Sequence, residues 1–207
     1  MNKTSEAARI LLQNAQFHSS FPQPRQLPAD RGVEVAFAGR SNSGKSSAIN
    51  VLCTQRNLAR TSRTPGRTQH LVVFELEPGR RLIDLPGFGY AKVSKTMRAH
   101  WQRALPEYLE QRRSLTGLVL LMDVRHPLKP QDVILISWCA RADVSLHILL
   151  NKADKLGRGA ATAVLHDVER YLAKNAAGVA SVQLFSALKH QGCEAAWAVL
   201  GRWLSED

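Results

Sequence analysis

The segment GRSNSGKS at residues 39–46 constrains the fold more than any other feature, and it follows the apolar run VEVAFA at 33–38. It fits the pattern G-x-x-x-x-G-K-[ST], a phosphate-binding loop between a strand and a helix. Its glycines let the backbone approach phosphate oxygens, Lys45 can reach the outer phosphates, and the Ser46 hydroxyl can ligate Mg²⁺. The sequence therefore predicts a site for a magnesium-bound nucleoside triphosphate at a helix N-terminus. The candidate phosphate ligands are Gly39, Arg40, Ser41, Asn42, Ser43, Gly44, Lys45, Ser46 and Ser47.

A second motif, D-x-x-G at residues 84–87, ends a pair of predicted strands. The β-rich runs 71–76 and 81–84 flank the turn 77–79, and two strands this close must pair antiparallel. A carboxylate at the end of such a strand can hold Mg²⁺ directly or through water, and the Gly87 N–H can meet the terminal phosphate. The candidate residues here are Asp84, Leu85, Pro86 and Gly87.

A third motif, N-K-x-D at residues 151–154, follows the buried-type run 144–150. Asp154 can accept hydrogen bonds from the N1–H and exocyclic amine of guanine, whereas adenine would leave the carboxylate unpaired. Asn151 either braces the loops or reaches the base edge, and the Lys152 stem can cover the ring face. The loop after the last predicted strand, 181–185, can meet the guanine O6 with its backbone. The candidate base-binding residues are Asn151, Lys152, Ala153, Asp154, Phe185, Ser186 and Ala187.

The order of elements predicts an α/β fold with a phosphate-binding loop and strands of the type buried in a parallel sheet. An amphipathic helix at 3–18 and a Pro-rich connection at 21–28 come first, so we divide the chain into residues 1–30 and a main domain at 31–207. Pro106 is expected to kink or divide the helix predicted over 95–113. Further helices are predicted over 47–53, 130–142 and 193–204, and residues 54–69 are predicted to form a mobile loop.

Several segments together resemble the EngB group (also called YihA or YsxC) of TRAFAC-class translation GTPases. The resemblance extends from Val33 to about Trp203 and rests on GRSNSGKSS, ARTSRTPGRTQ, DLPGFGYA, LMDVRHPLKP, NKADKL and FSALK. It implies that residues 31–207 form a G domain of the P-loop NTPase type. Such a domain has a six-stranded, mainly parallel sheet with one antiparallel strand and helices on both faces. It also implies GTP hydrolysis, a role in assembly of the large ribosomal subunit, and a link to bacterial cell division and septation. Ala187-Leu188 departs from the family's usual base loop, and Pro106 is unexpected in the helix of the second switch.

The resemblance also implies a first switch segment, in which the Thr68 hydroxyl joins Ser46 on Mg²⁺ when GTP is bound. Both switches would then release after hydrolysis, because each contacts the γ-phosphate side only in the triphosphate state. The residues assigned to this segment are Gly66, Arg67, Thr68, Gln69 and His70.

Phe88 follows the D-x-x-G motif, where many GTPases have a glutamine that orients the attacking water. A phenyl ring cannot do this, so we expect slow intrinsic hydrolysis, at or below roughly 10⁻⁴ s⁻¹. Stimulation would come from a partner or from a monovalent cation such as K⁺ near Asn42. The alternative for Asn42 is a hydrogen bond that shapes the loop.

The chain has a formal net charge of +11, and residues 54–113 contribute twelve Lys/Arg against five Asp/Glu. This asymmetry indicates a polyanionic partner, and with the resemblance it predicts the large ribosomal subunit or its precursor, bound through phosphates of ribosomal RNA. The alternative is solvated charge on mobile loops. The basic residues beside the switches are Arg56, Arg60, Arg63, Arg67, Lys92, Lys95 and Arg98.

The apolar runs near the N-terminus are too short for a signal peptide or a membrane span, so we expect a cytoplasmic protein without a membrane partner. Three widely separated cysteines, Cys53, Cys139 and Cys193, are predicted to be buried thiols. No heptad pattern is present, and we expect a monomer. Two other classes are considered: a P-loop nucleotide kinase, and an RNA-binding module that ignores nucleotide.

Overall fold

The computed structural model describes residues 2–59, 70–88 and 95–205, with backbone alone over 95–102. The predicted site residues Gly66, Arg67, Thr68 and Gln69 lie outside these ranges, as do Arg60, Arg63 and Lys92. The strands are β1 (Gln16–Phe21), β2 (Val33–Gly39), β3 (Leu71–Glu77), β4 (Arg80–Asp84), β5 (Leu115–Asp123), β6 (Leu146–Asn151) and β7 (Ala180–Leu184). The helices are α1 (Lys3–Gln13), α2 (Lys45–Leu52), α3 (Lys95–Gln111), α4 (Pro130–Arg141), α5 (Arg158–Asn175) and α6 (Cys193–Leu204).

All seven strands form one sheet in the order β1-β3-β4-β2-β5-β6-β7. β2 pairs in parallel with β4 and β5, and the parallel ladder continues through β6 to β7. β3 is antiparallel to both β1 and β4, so among the described strands it alone runs against the rest. The predicted α/β fold with one antiparallel strand is therefore confirmed.

The prediction of six strands missed β1, whose residues were assigned to the end of the first helix and the Pro-rich connection. Its sequence QFHSSF is largely exposed and lacks an apolar alternation that could identify a strand. Backbone pairing with β3 holds it in the sheet instead. No helix was predicted over residues 158–175, where α5 lies.

Pro106 lies inside a single continuous helix, α3, so the predicted division into two helices is wrong. Leu105, Tyr108 and Leu109 are buried on the inner face of α3. Their packing holds the helix together at the turn where proline cannot donate a backbone hydrogen bond.

The sheet is covered on both faces, and β2 shows how its alternation divides the core. Val33, Val35 and Phe37 point to the face covered by α1, α2 and α6, whereas Ala36 and Ala38 point to the face covered by α3, α4 and α5. The three cysteines are buried within these layers, as predicted. No helix in the described part of the chain is both long and apolar enough to cross a membrane.

Close packing of α6 on the sheet depends on Gly117 in β5. A Cβ atom at this position would overlap the Trp203 ring of α6, so we expect Gly117→Ala to lower the free energy of unfolding by about 1–3 kcal/mol. Gly159→Ala is the matched control, because it lies in a helix and no atom is within 4 Å of the place its Cβ would take. It should leave stability unchanged or raise it by up to about 1 kcal/mol. Urea denaturation of both variants tests this, and equal midpoints would contradict the packing account.

Candidate nucleotide-binding site

The segment between β2 and α2 turns sharply, as a phosphate-binding loop must. Asn42 and Gly44 have φ values of 67° and 92°, and α2 begins immediately afterwards at Lys45. The turn is closed by a hydrogen bond from the Ser43 N–H to the Arg40 carbonyl, 3.0 Å. Glycine is required at position 44 for two reasons: the backbone there is left-handed, and a Cβ atom would overlap the Asn151 side-chain amide. The free N–H groups at the start of α2 therefore face the concave side of the loop, where an anion can bind.

Lys45 forms a buried ion pair with Asp84 at the end of β4. Burial raises the pKa of Asp84, and the ammonium group of Lys45 partly offsets that rise. The pair forms because β2 and β4 are parallel neighbours, with Phe37 opposite Asp84 in the register. The first and second motifs thus meet at the carboxyl ends of adjacent strands.

The D-x-x-G segment continues along the phosphate-binding loop. The Leu85 N–H donates to the Phe37 carbonyl at 2.9 Å, and the Ser41 N–H donates to the Phe88 carbonyl at 3.1 Å. Gly87 lies so near Ser41 that a Cβ would come within 3.2 Å of its hydroxyl oxygen. The phenyl ring of Phe88 packs against the core on the side of α3, α4 and α5. No carboxamide stands at this position to orient a water molecule.

Asn151 connects the phosphate-binding loop to the loop after β7. Its Nδ2 donates to the Ser43 carbonyl at 2.9 Å, and its Oδ1 accepts from the Ala187 N–H at 3.2 Å. The side chain is buried, with 2% of its surface exposed. Both ends of the Asn151 amide therefore bond to other parts of the protein. This arrangement fits the first of the two roles considered for Asn151, in which it braces the loops.

Lys152 makes a second connection to the phosphate-binding loop. Its ammonium group donates to the Asn42 carbonyl at 2.7 Å and to the Asp123 carboxylate at 3.0 Å. Burial alone would raise the pKa of Asp123, but hydrogen bonds from Arg125 and Lys152 hold it well below its usual value. Asp123 therefore stays ionised and holds Lys152 along the edge of the base-binding region.

Asp123 was given no role at the level of sequence, although the segment LMDVRHPLKP contains it. Two signals could have identified it: it ends a buried strand, and that strand precedes the one ending in Asn151. The structure places Asp123 opposite Asn151 in the register of β5 and β6. Polar residues at the carboxyl ends of neighbouring parallel strands are expected to share a site.

Asp154 is held in place by Ser186, whose hydroxyl donates to Oδ1 at 2.5 Å. This hydrogen bond is the main reason that the pKa of Asp154 is lowered, so the group is an anion at neutral pH. The Ala153 N–H donates to the Phe185 carbonyl at 3.0 Å and joins the two base-binding loops. Asp154 presents a carboxylate at the rim of the site, where it can accept hydrogen bonds from a ligand.

The oxygen donors on the phosphate side suit Mg²⁺, which prefers hard oxygen ligands. Ser46 follows Lys45 in the first turn of α2, and Asp84 is paired with Lys45, so a hydroxyl and a carboxylate are available on the elements beside the loop. His70 is exposed and immediately precedes β3.

Comparison with known proteins identifies the family to which this chain belongs. A family model described as "50S ribosome-binding GTPase" matches residues 34–152. A probable GTP-binding protein EngB of Salmonella paratyphi B is 54% identical over 195 residues, which cover 94% of this chain and 92% of that protein. The chain belongs to the EngB family of GTP-binding proteins. An EngB protein of Escherichia coli O1:K1 is 52% identical over 205 residues, covering 99% of this chain and 94% of its own.

Solved structures show the same fold at lower sequence identity. A crystal structure of a probable EngB protein matches with a TM-score of 0.64 at 22% identity, covering 82% of this chain and 99% of its own. A variant of Era from Aquifex aeolicus, bound to GDP and aluminium fluoride, matches with a TM-score of 0.62 at 18% identity. It covers 86% of this chain and 58% of its own. EngB and Era thus share one GTPase fold with this chain.

Proposed function

We propose that this EngB-family chain is a nucleotide switch that binds GTP and GDP with Mg²⁺, hydrolyses GTP slowly and acts in assembly of the large ribosomal subunit. The observation that carries the proposal is the joining of three motifs into one site. Asn151 and Lys152 bind the phosphate-binding loop directly, at 2.9 and 2.7 Å, so base and phosphate regions are held at a fixed spacing. Asp154 selects guanine, because it accepts from the two donors that adenine lacks.

On the phosphate side, the loop amides and Lys45 hold the phosphate oxygens, while Ser46 and Thr68 hold Mg²⁺. When bound, the metal neutralises charge that develops on the phosphate oxygens. On binding, Lys45 would exchange its partner Asp84 for phosphate, and the released Asp84 carboxylate would be available to help hold Mg²⁺. The proposed GTP state therefore begins with the rearrangement of one buried ion pair.

Hydrolysis should be slow without a partner protein, because residue 88 is a phenylalanine whose ring packs against the core. It offers no carboxamide that could orient the attacking water molecule. We expect a rate at or below roughly 10⁻⁴ s⁻¹ with GTP alone. If a monovalent cation near Asn42 supplies the missing positive charge, K⁺ will raise the rate well above its value in Na⁺ at equal ionic strength. Phosphate release measured in both salts tests this, and equal rates would eliminate the cation hypothesis.

A role on the ribosome is supported by the family description and by the basic segment around the switches. Co-sedimentation with separated ribosomal subunits tests it, with the protein loaded with a non-hydrolysable GTP analogue, with GDP or left empty. We expect binding to the large subunit in the GTP-analogue state, weakening at high salt because phosphate contacts release counterions. Binding that is equal in all three states would instead favour a nucleotide-independent RNA-binding module.

Phosphate transfer from GTP to an acceptor other than water would favour the kinase alternative.

The proposal extends to a cytoplasmic monomer that is needed for normal cell division and septation. The division phenotype would follow from deficient ribosome assembly, and depletion of the protein should lower large subunits before septation fails.

A further inference from the structure

A cleft of about 750 Å³ lies between a short 3₁₀ helix, Pro24–Gln26, and the C-terminal half of α3. It lies towards the opposite end of β2 from the nucleotide site: its lining residue Arg112 bonds to Glu34, whereas the phosphate-binding loop follows Gly39. Its volume is in the range of ligand-binding sites. The lining residues used below are Gln23, Arg25, Arg103, Tyr108, Gln111 and Arg112.

The floor of the cleft is a rigid ionic network. Arg112 donates to both oxygens of the fully buried Glu34, at 2.9 and 2.5 Å, and to the Pro28 carbonyl at 2.8 Å. Asp30 accepts from the Ser114 N–H and hydroxyl at 2.9 and 2.8 Å. These groups satisfy one another, so the floor is shaped before any ligand arrives.

Tyr108 is the exception on this floor. The residue is 4% exposed, and its buried hydroxyl has no hydrogen-bond partner in the described part of the chain. A buried hydroxyl without a partner costs free energy, roughly 1–3 kcal/mol. Because the hydroxyl has almost no accessible surface, Tyr108 forms part of the floor and is not itself a contact for an occupant.

The rim carries two arginine side chains that make no ion pair within the described residues. Arg25 and Arg103 are exposed on opposite walls, and neither has an ion pair or hydrogen bond within the described ranges. The amides of Gln23 and Gln111 offer donors and acceptors beside them. Guanidinium groups suit phosphates, and side-chain amides suit the edges of unpaired bases.

We propose that this cleft binds an unpaired, phosphate-bearing segment of RNA, with Arg25 and Arg103 on its phosphates and the amides of Gln23 and Gln111 beside its bases. The inference rests on the proposed ribosomal function. The net charge of +11 favours a polyanion, and the amides beside the guanidinium groups favour RNA over an acidic peptide, because they provide for bases as well as phosphates. Because α3 is the first helix after Gly87 within the described residues, an occupant would contact an element on the C-terminal side of the second switch.

The test measures binding of a fluorescent, unstructured single-stranded RNA by anisotropy, using the full-length GDP-loaded protein. Arg25→Gln with Arg103→Gln should weaken binding about tenfold or more at low salt and reduce the salt slope by about 1.4, which is about 0.7 for each phosphate that is no longer neutralised. The control, Arg158→Gln with Arg170→Gln, removes equal charge from exposed positions on α5 and should change affinity less than about twofold. Equal weakening by both pairs would overturn the proposal, since it would show unspecific attraction.

Tyr108→Phe is a second control that leaves the charge of the cleft unchanged. It removes only a buried hydroxyl without a partner in the described part of the chain, so thermal stability should be kept or raised and RNA affinity should stay within about twofold of the wild-type value. Equal competition by a polyglutamate peptide would count against RNA in the cleft. GDP binding and subunit co-sedimentation by the wild-type protein report separately on the proposed function, so an RNA result confined to the cleft variants leaves that function intact.

Discussion

Replacing Asp154 with asparagine should lower the affinity for GDP by about 100-fold or more and create affinity for xanthosine diphosphate. In the wild-type protein, the carboxylate accepts from the N1–H and the exocyclic amine of guanine. An asparagine amide presents a donor where guanine also presents donors, whereas the C2 carbonyl of xanthine can accept that hydrogen bond. Ser186 can still donate to the side-chain oxygen of asparagine, so the loop itself should stay in place.

Calorimetric titration of the Asp154→Asn variant with both nucleotides measures this exchange. Asp167→Asn is the matched control, because Asp167 lies on α5 with 68% of its side chain exposed. It should bind GDP as the wild-type protein does. Retained guanine preference in the Asp154 variant would show that the base is recognised elsewhere.

Replacing Lys45 with methionine should abolish measurable nucleotide binding and destabilise the free protein by roughly 3–5 kcal/mol. The first effect follows from losing the cation for the outer phosphates, and the second from leaving Asp84 buried without its partner. Urea denaturation and GDP titration measure the two effects separately. Lys174→Met on α5 is the control and should show neither effect.

The loss of stability in Lys45→Met should depend on pH in a defined direction. Burial already raises the pKa of Asp84, and without Lys45 the folded protein will hold the proton more tightly still. A carboxyl group with a raised pKa in the folded state destabilises the fold as pH rises above its unfolded value, near 4. The variant should therefore approach wild-type stability near pH 4 and fall behind it towards neutral pH.

The double variant Lys45→Met with Asp84→Asn separates folding from binding. Because neither remaining side chain is charged, it should recover most of the lost stability at neutral pH. It should still fail to bind nucleotide. If the double variant is as unstable as Lys45→Met, the ion pair is not the cause of the instability.

The central strands and the last helix could be predicted because local sequence determines them. Continuous apolar runs identified β2 and β6, and α6 spans Cys193–Leu204 as predicted. β1 could not be identified, since its residues are mostly exposed and only pairing with β3 makes it a strand. The periodicity of apolar residues predicts which side chains are buried. It cannot identify a polar strand that is held in the sheet by backbone hydrogen bonds to a neighbouring strand.

The candidate site was predictable as motifs but not as a connected structure. The bonds from Lys152 to Asp123 and from Asn151 to Ser43 join residues far apart in the chain, so spacing alone could not show them. Asn50 gives a further example: its amide bonds to Arg56 and Ala59 hold residues that were predicted to be a mobile loop. Such side chains were overlooked because their partners become neighbours only after folding.

The most direct test of the account is calorimetry of the purified wild-type protein with GDP and with ADP, each in the presence of Mg²⁺. A pocket that holds phosphate through main-chain amides and guanine through Asp154 should take up one GDP per chain and show no measurable heat of binding with ADP. Failure to bind GDP, or equal affinity for both nucleotides, would contradict it.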